Sequence, residues 1–168
     1  MANSKDIDVA EAIKDEIAGH TFDVTVDLVK RSYANPEVNV PLIDGQIRID
    51  VYPIYSTPLP SRGDKDWEVH TGVVIRKKFA TNEIDDNDGG VPVLASVDEL
   101  LKLRADIYEF FAPNFNEADH DGRALTAMPD AVLDLDLTDY PTDESYDVEL
   151  LRTAQVFKSW LELVYIAS

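Results

Sequence analysis

Trp67 to Lys78 reads WEVHTGVVIRKK. Trp67, Val69, Thr71, Val73 and Ile75 recur every second residue, the spacing that puts side chains on one face of a β-strand. Upstream, Ile47, Ile49 and Val51 alternate with Arg48 and Asp50 in a second such strand, which Pro53, Pro58 and Pro60 are expected to end. The polar connection from Pro58 to Lys65 contains Ser61-Arg62-Gly63-Asp64. It is too short for a crossover helix, so the two strands are expected to pair as a long antiparallel hairpin.

The pattern extends outward from that hairpin. Ile7, Ala10, Ile13 and Ile17 share one helical face, with Asp6 or Asp8 as the expected cap and Gly19 as the stop. Phe22, Val24, Val26 and Leu28 alternate with polar residues, which predicts a strand extending towards Tyr33. Asn35 to Gln46 reads as a loop, and so does Thr81 to Leu94. Ser96-Val97-Asp98-Glu99 fits a capping box for a second helix, with Leu100, Leu103, Ile107 and Phe110 as its buried stripe and Pro113 as its end. Asn114 to Pro129 is irregular. Ala131 to Thr138 predicts a strand, Tyr146 to Thr153 a short helical turn, and Val156 to Ile166 a last strand with apolar residues on both sides. The expected fold is α+β: one domain over residues 1–168, a mainly antiparallel sheet with a long β-hairpin, and two helices packed on one face.

Composition narrows the function. The 168 residues carry 33 acidic and 15 basic side chains, a formal net charge of −18. Such a surface repels nucleic acid and anionic lipid at long range. Arg76-Lys77-Lys78 is the main basic cluster and reads first as a solvated strand end, with phosphate binding as the lesser alternative. The absence of cysteine excludes disulfides, thiolate zinc sites and a cysteine nucleophile. No run approaches the ~20 apolar residues of a membrane span. Met1 to Asp8 lacks the layout of a signal peptide, so a cytoplasmic product is expected.

Catalytic motifs are missing. His20, His70 and His120 have no metal-ligand spacing. Asp119-His120-Asp121 reads as a solvated loop rather than a cation site. Asp85 to Gly90 resembles a calcium loop until the register is tried: with Gly89 as the loop glycine, position one is Ile84, and the closing positions in the two registers are Ala95 and Ser96 instead of Glu. There is no nucleophile elbow, phosphate-binding loop or dinucleotide fingerprint. No cofactor is expected, and no enzyme activity.

Four stretches carry a resemblance to a known family. They are Ile7 to Ala18; Gly45 to Ser56, GQIRIDVYPIYS; Ser61 to Phe79, SRGDKDWEVHTGVVIRKKF; and Tyr146-Asp147-x-Glu149-Leu150 leading to Phe157-x-Ser159-x-Leu161-x-Leu163-x-Tyr165. Together they resemble the tail-terminator, or tail-completion, proteins at the neck of long-tailed bacteriophages. The resemblance implies a non-catalytic virion protein, assembled in the host cytoplasm. It implies a ring, usually of six copies, that caps the tail tube, ends its polymerisation and offers a surface to the head-completion protein. Its partners would be further copies of itself, the tail tube protein and the head-completion connector. An acidic lumen would let DNA pass without specific binding. Ser61, Arg62, Asp64 and Lys65 in the hairpin connection, with Arg76, Lys77 and Lys78, are the candidate interface residues, and the Asn114 to Pro129 loop is a second contact region. The strong acidity and that long loop depart from the family pattern. Competing readings are another head-completion or minor tail connector, an acidic DNA mimic displaying Asp134, Asp136 and Asp139 to a host protein, and a carboxylate-only metal hydrolase.

Overall fold

The computed structural model describes residues 4–36, 42–60, 66–113, 122–135 and 146–168. The hairpin is its spine. β2 (Ile47–Pro58) and β3 (Trp67–Lys78) pair antiparallel along their lengths, Ile47 opposite Lys77 and Pro58 opposite Trp67. β7 (Val156–Ala167) pairs antiparallel with the other side of β3. β1 (Leu28–Arg31) adds to β2 in parallel, and β6 (Val132–Leu133) adds to β7 antiparallel. The sheet order is β1-β2-β3-β7-β6. A separate two-stranded ribbon joins β4 (Ile84–Asp85) to β5 (Val91–Pro92).

Helices α1 (Lys5–Gly19) and α2 (Leu94–Phe111) cover one face of the sheet. Val69, Val73 and Ile75 of β3, Ile47, Ile49 and Val51 of β2, and Phe157, Leu161, Leu163 and Tyr165 of β7 point into that layer. They meet Val9, Ala10, Ile13 and Ile17 of α1 and Leu100, Leu103, Ile107 and Phe111 of α2 in one buried cluster. Burying a side chain of that size stabilises the fold by about 1.5–3 kcal/mol, so this layer outweighs any surface interaction. The α+β class, the long hairpin and the helices on one face are as the sequence predicts.

Several boundaries differ for physical reasons. The strand expected from Phe22 forms only at Leu28–Arg31, because β2 begins at Ile47 and offers no partner further upstream. Asp27 closes that junction: its carboxylate accepts from Ile47 N at 2.8 Å and its own N–H donates to Ile47 O. Pro53 does not end β2. The strand runs on to Pro58 through a bulge between Pro53 and Tyr55, and a bulge on an edge strand tolerates a residue without an N–H. The Ser96 capping box does not form. Val93 N donates to Glu83 O, which starts α2 three residues earlier, with Val93 as its cap, and leaves Ser96 inside the first turn. The cap of α1 falls at Ser4, whose carbonyl accepts from Ile7 N and Asp8 N, and not at Asp6 or Asp8. Phe110 is only half-buried, and Phe111 takes its place in the core. The turn expected near Tyr146 is α3 (Val148–Ala154), capped by the Asp147 carboxylate on Leu150 N. The strand expected from Ala131 pairs only at Val132–Leu133; its last three residues, the Asp119-His120-Asp121 loop and the Asp139 to Ser145 connection lie outside the described residues.

Candidate interaction surface

Among the described residues α1 and α2 leave the second face of the sheet uncovered by a helix, and its chemistry divides in two along the hairpin. Near the β1 end, Arg48, Arg76 and Lys158 stand in one register row across β2, β3 and β7. Like charges in such a row repel, and one carboxylate holds the two arginines together. Asp50 accepts from Arg48 Nε and Nη2 at 2.9 Å, from Arg76 Nη2 at 2.9 Å and from Ser32 Oγ at 2.7 Å. Burial pushes the Asp50 carboxyl up, but these donors outweigh it and hold it below its ordinary range. Lys158 donates to Pro36 O at 2.9 Å, which draws the Ser32–Pro36 segment across this corner; burial and the neighbouring Arg76 lower its pKa.

Towards the hairpin connection the same face turns aromatic and acidic. Tyr52 lies across Gly72, where a Cβ would come 2.3 Å from the ring. Tyr55 stacks on His70 at 4.1 Å between centroids. His70 bridges Glu68, 2.7 Å from Nε2, and Glu162, against Nδ1. Burial lowers its pKa, but the two carboxylates outweigh burial and raise it, and the ring links β3 to β7 through them. Ile54, Tyr55 and Trp160 stay substantially exposed here. β1 ends at Arg31, opposite Val51, and Ser32 N makes the last bond, to Val51 O. From Tyr52 to Pro58 the outer edge of β2 has no strand partner among the described residues. An open edge beside exposed apolar side chains is the layout that accepts a strand or loop from another chain.

The basic cluster of the sequence is divided by the pleat. Arg76 is 1 % exposed and engaged with Asp50, so it is no contact residue but a part of the interior. Lys77 points to the helical face and pairs with Glu83 at 2.6 Å. Lys78 alone is well exposed, 3.4 Å from Asp44. The expected solvated strand end is therefore one residue, not three. Ser61, Arg62, Asp64 and Lys65 lie outside the described residues. Alternation in the sequence could have assigned Arg76 and Lys77 to opposite faces; nothing local showed that the first of those faces is covered.

No protein-family model matches the sequence, and no curated protein matches it closely enough to count as a relative. The reading of its function therefore rests on its own residues. A second concave region lies between the C-terminal ends of α1 and α2 and the 123–127 segment, with a volume of about 430 Å³. Glu16 anchors it: its carboxylate accepts from Thr126 N at 2.7 Å, from Thr126 Oγ1 and from Arg123 Nε at 3.1 Å. Burial raises its pKa, but these donors outweigh burial and hold it low, so it is an ionised clasp and not a proton donor. Arg123 lies 4.0 Å over the Phe110 ring, against which His20 also stacks at 4.3 Å. Among the described residues no three His, Asp or Glu side chains converge as a metal site would require, and no helix is long and apolar enough to cross a membrane.

Proposed function

We propose that this chain is a structural subunit of a bacteriophage particle, the tail terminator, which assembles as a ring on the last turn of the tail tube. There it stops tube growth and presents a surface to the head-completion protein. The single observation that carries the reading beyond the sequence resemblance is the edge of β2 from Tyr52 to Pro58, which has no strand partner among the described residues and bears exposed Ile54 and Tyr55. Pro53, the bulge and Pro58 protect this edge from indiscriminate pairing before assembly. The net charge of −18 suits a channel that DNA crosses without sticking. The buried carboxylates and the imidazole are engaged in internal clasps, which suits a scaffold better than a reaction centre.

The test is genetic. In a phage that encodes this chain, deletion of its gene should give overlong tail tubes in electron micrographs. Tails of normal length without heads would reassign the chain to a neighbouring connector. A chain missing from virions that pulls down a host protein would instead be an acidic DNA mimic.

A further inference from the structure

We infer that the cationic corner of the sheet, on the face opposite α1 and α2, binds one small oxyanion of the phosphate class, held by Arg48, Arg76 and Lys158 beneath the Ser32–Pro36 segment. This site stands apart from the ring reading. Arg48, Arg76 and Lys158 occupy one register row, and exposed Lys30 stands beside Asp50 in the next. The chain has 33 acidic and 15 basic residues, so a spot where cations outnumber carboxylates runs against its composition.

Asp50 cannot balance these cations. Its two oxygens accept from four donors: Arg48 Nε and Nη2, Arg76 Nη2 and Ser32 Oγ. Four donors fill the acceptor sites of one carboxylate, and Arg48 takes the two-point share. Arg76 is left with a single bond to it, at 2.9 Å. Its Nε and Nη1 are buried without a hydrogen-bond partner among the described residues, on a side chain only 1 % exposed. An unpaired donor on a buried charge is among the costliest features a fold can keep, and an anion at that donor removes the cost. Lys158 is incompletely paired as well. Its ammonium donates to the neutral Pro36 carbonyl, and the carboxylate that acts on it, Asp147, is occupied at Leu150 N as the cap of α3. An anion between Arg76 and Lys158 serves both.

The enclosure selects the ligand. Ser32 fixes one end of the segment above the row, through its N–H on Val51 O and its hydroxyl on Asp50. Buried Pro36 fixes the other end, through Lys158. A nucleic-acid backbone or a bulky ester does not reach a guanidinium that is 1 % exposed, so a free inorganic oxyanion fits best. It enters as Lys158 exchanges the Pro36 carbonyl for an oxygen of the anion. Several charged acceptor oxygens on one centre match donors that converge from two arginines and a lysine.

Thermal melts of the full chain in inorganic phosphate, against chloride at equal pH and ionic strength, test the site, with titration calorimetry for stoichiometry. The expected result is a saturable rise in melting temperature and one phosphate per chain. Arg76→Lys keeps a cation for Asp50 and removes the unpartnered guanidinium donors. Lys158→Gln keeps a donor for Pro36 O and removes the charge. Each variant, with its fold checked by circular dichroism, should bind phosphate at least about tenfold more weakly. Lys102→Gln, at an exposed pair with Asp23 on α2, should bind as the wild-type chain does. Adenosine monophosphate should bind at least about tenfold more weakly than phosphate, because its nucleoside has no room under the segment. No saturable effect in the wild-type chain up to about 10 mM phosphate would overturn the inference. So would equal affinity in all three variants, or adenosine monophosphate binding as tightly as phosphate.

Discussion

Asp50 and Arg76 meet at 2.9 Å on the sheet face opposite α1 and α2, and neither is more than 1 % exposed. The pair joins β2 to β3, and through Arg48 and Ser32 it also ties down the chain leaving β1. Two further nitrogens of Arg76, Nε and Nη1, have no hydrogen-bond partner among the described residues. Asp50 is the one carboxylate paired with this guanidinium among the described residues, and a buried charge that loses its partner is far costlier than a pair removed together.

Asp50→Asn should accordingly destabilise the fold by about 3–5 kcal/mol. The double variant Asp50→Val with Arg76→Met should lose much less, because no isolated charge remains. Urea melts of the three proteins at one pH check this; equal losses in the single and double variants would show that the charge itself is not the cause.

The acid limb of stability belongs partly to the same residue. The folded pKa of Asp50 is lowered, so its contribution is fully present above the unfolded value near 3.8 and is lost as pH falls through the folded value. The stability gap between the wild-type chain and Asp50→Asn should narrow below about pH 4.

His70 works in the opposite sense. Its folded pKa is raised by Glu68 and Glu162, so its stabilising share is complete below about pH 6.5 and declines as pH rises through the higher folded value. His70→Gln should cost most stability at mildly acid pH and progressively less in alkaline buffer. A gap that widened with pH would mean that His70 is held neutral.

Gly72→Ala places a methyl group 2.3 Å from the Tyr52 ring. The ring must swing off the sheet, at an expected cost of about 1–3 kcal/mol. Tyr52→Ser in the same chain should recover most of that loss relative to Tyr52→Ser alone, as read from a double-mutant cycle in thermal melts.

How much of this was legible in the sequence depends on how far each signal reaches along the chain. The period-two runs around Ile49, Val73 and Leu161 place three central strands correctly, because one buried face repeats over ten or so residues. The first edge strand is overread at Phe22 to Asp27: the side chains alternate and face the core, yet a strand also needs a backbone partner, and β2 supplies none before Ile47. The Ser96 box fails because a hydrogen bond from Val93 to Glu83, ten residues away, sets the start of α2. The same limit hides the surface chemistry. Nothing in the sequence pairs Glu16 with Thr126 or stacks His20 on Phe110, since each joins segments about 90 or more residues apart. Arg76-Lys77-Lys78 looks like one basic patch only while the pleat and the covering segment are ignored.

The central claim is a place in a particle, and imaging tests it most directly. The chain should be tagged in the phage that encodes it and purified virions examined by electron microscopy with a label for the tag. Label is expected only at the head–tail junction, in a ring at the head-proximal end of the tail tube. Virions without label, from lysates that contain the tagged chain, would contradict it.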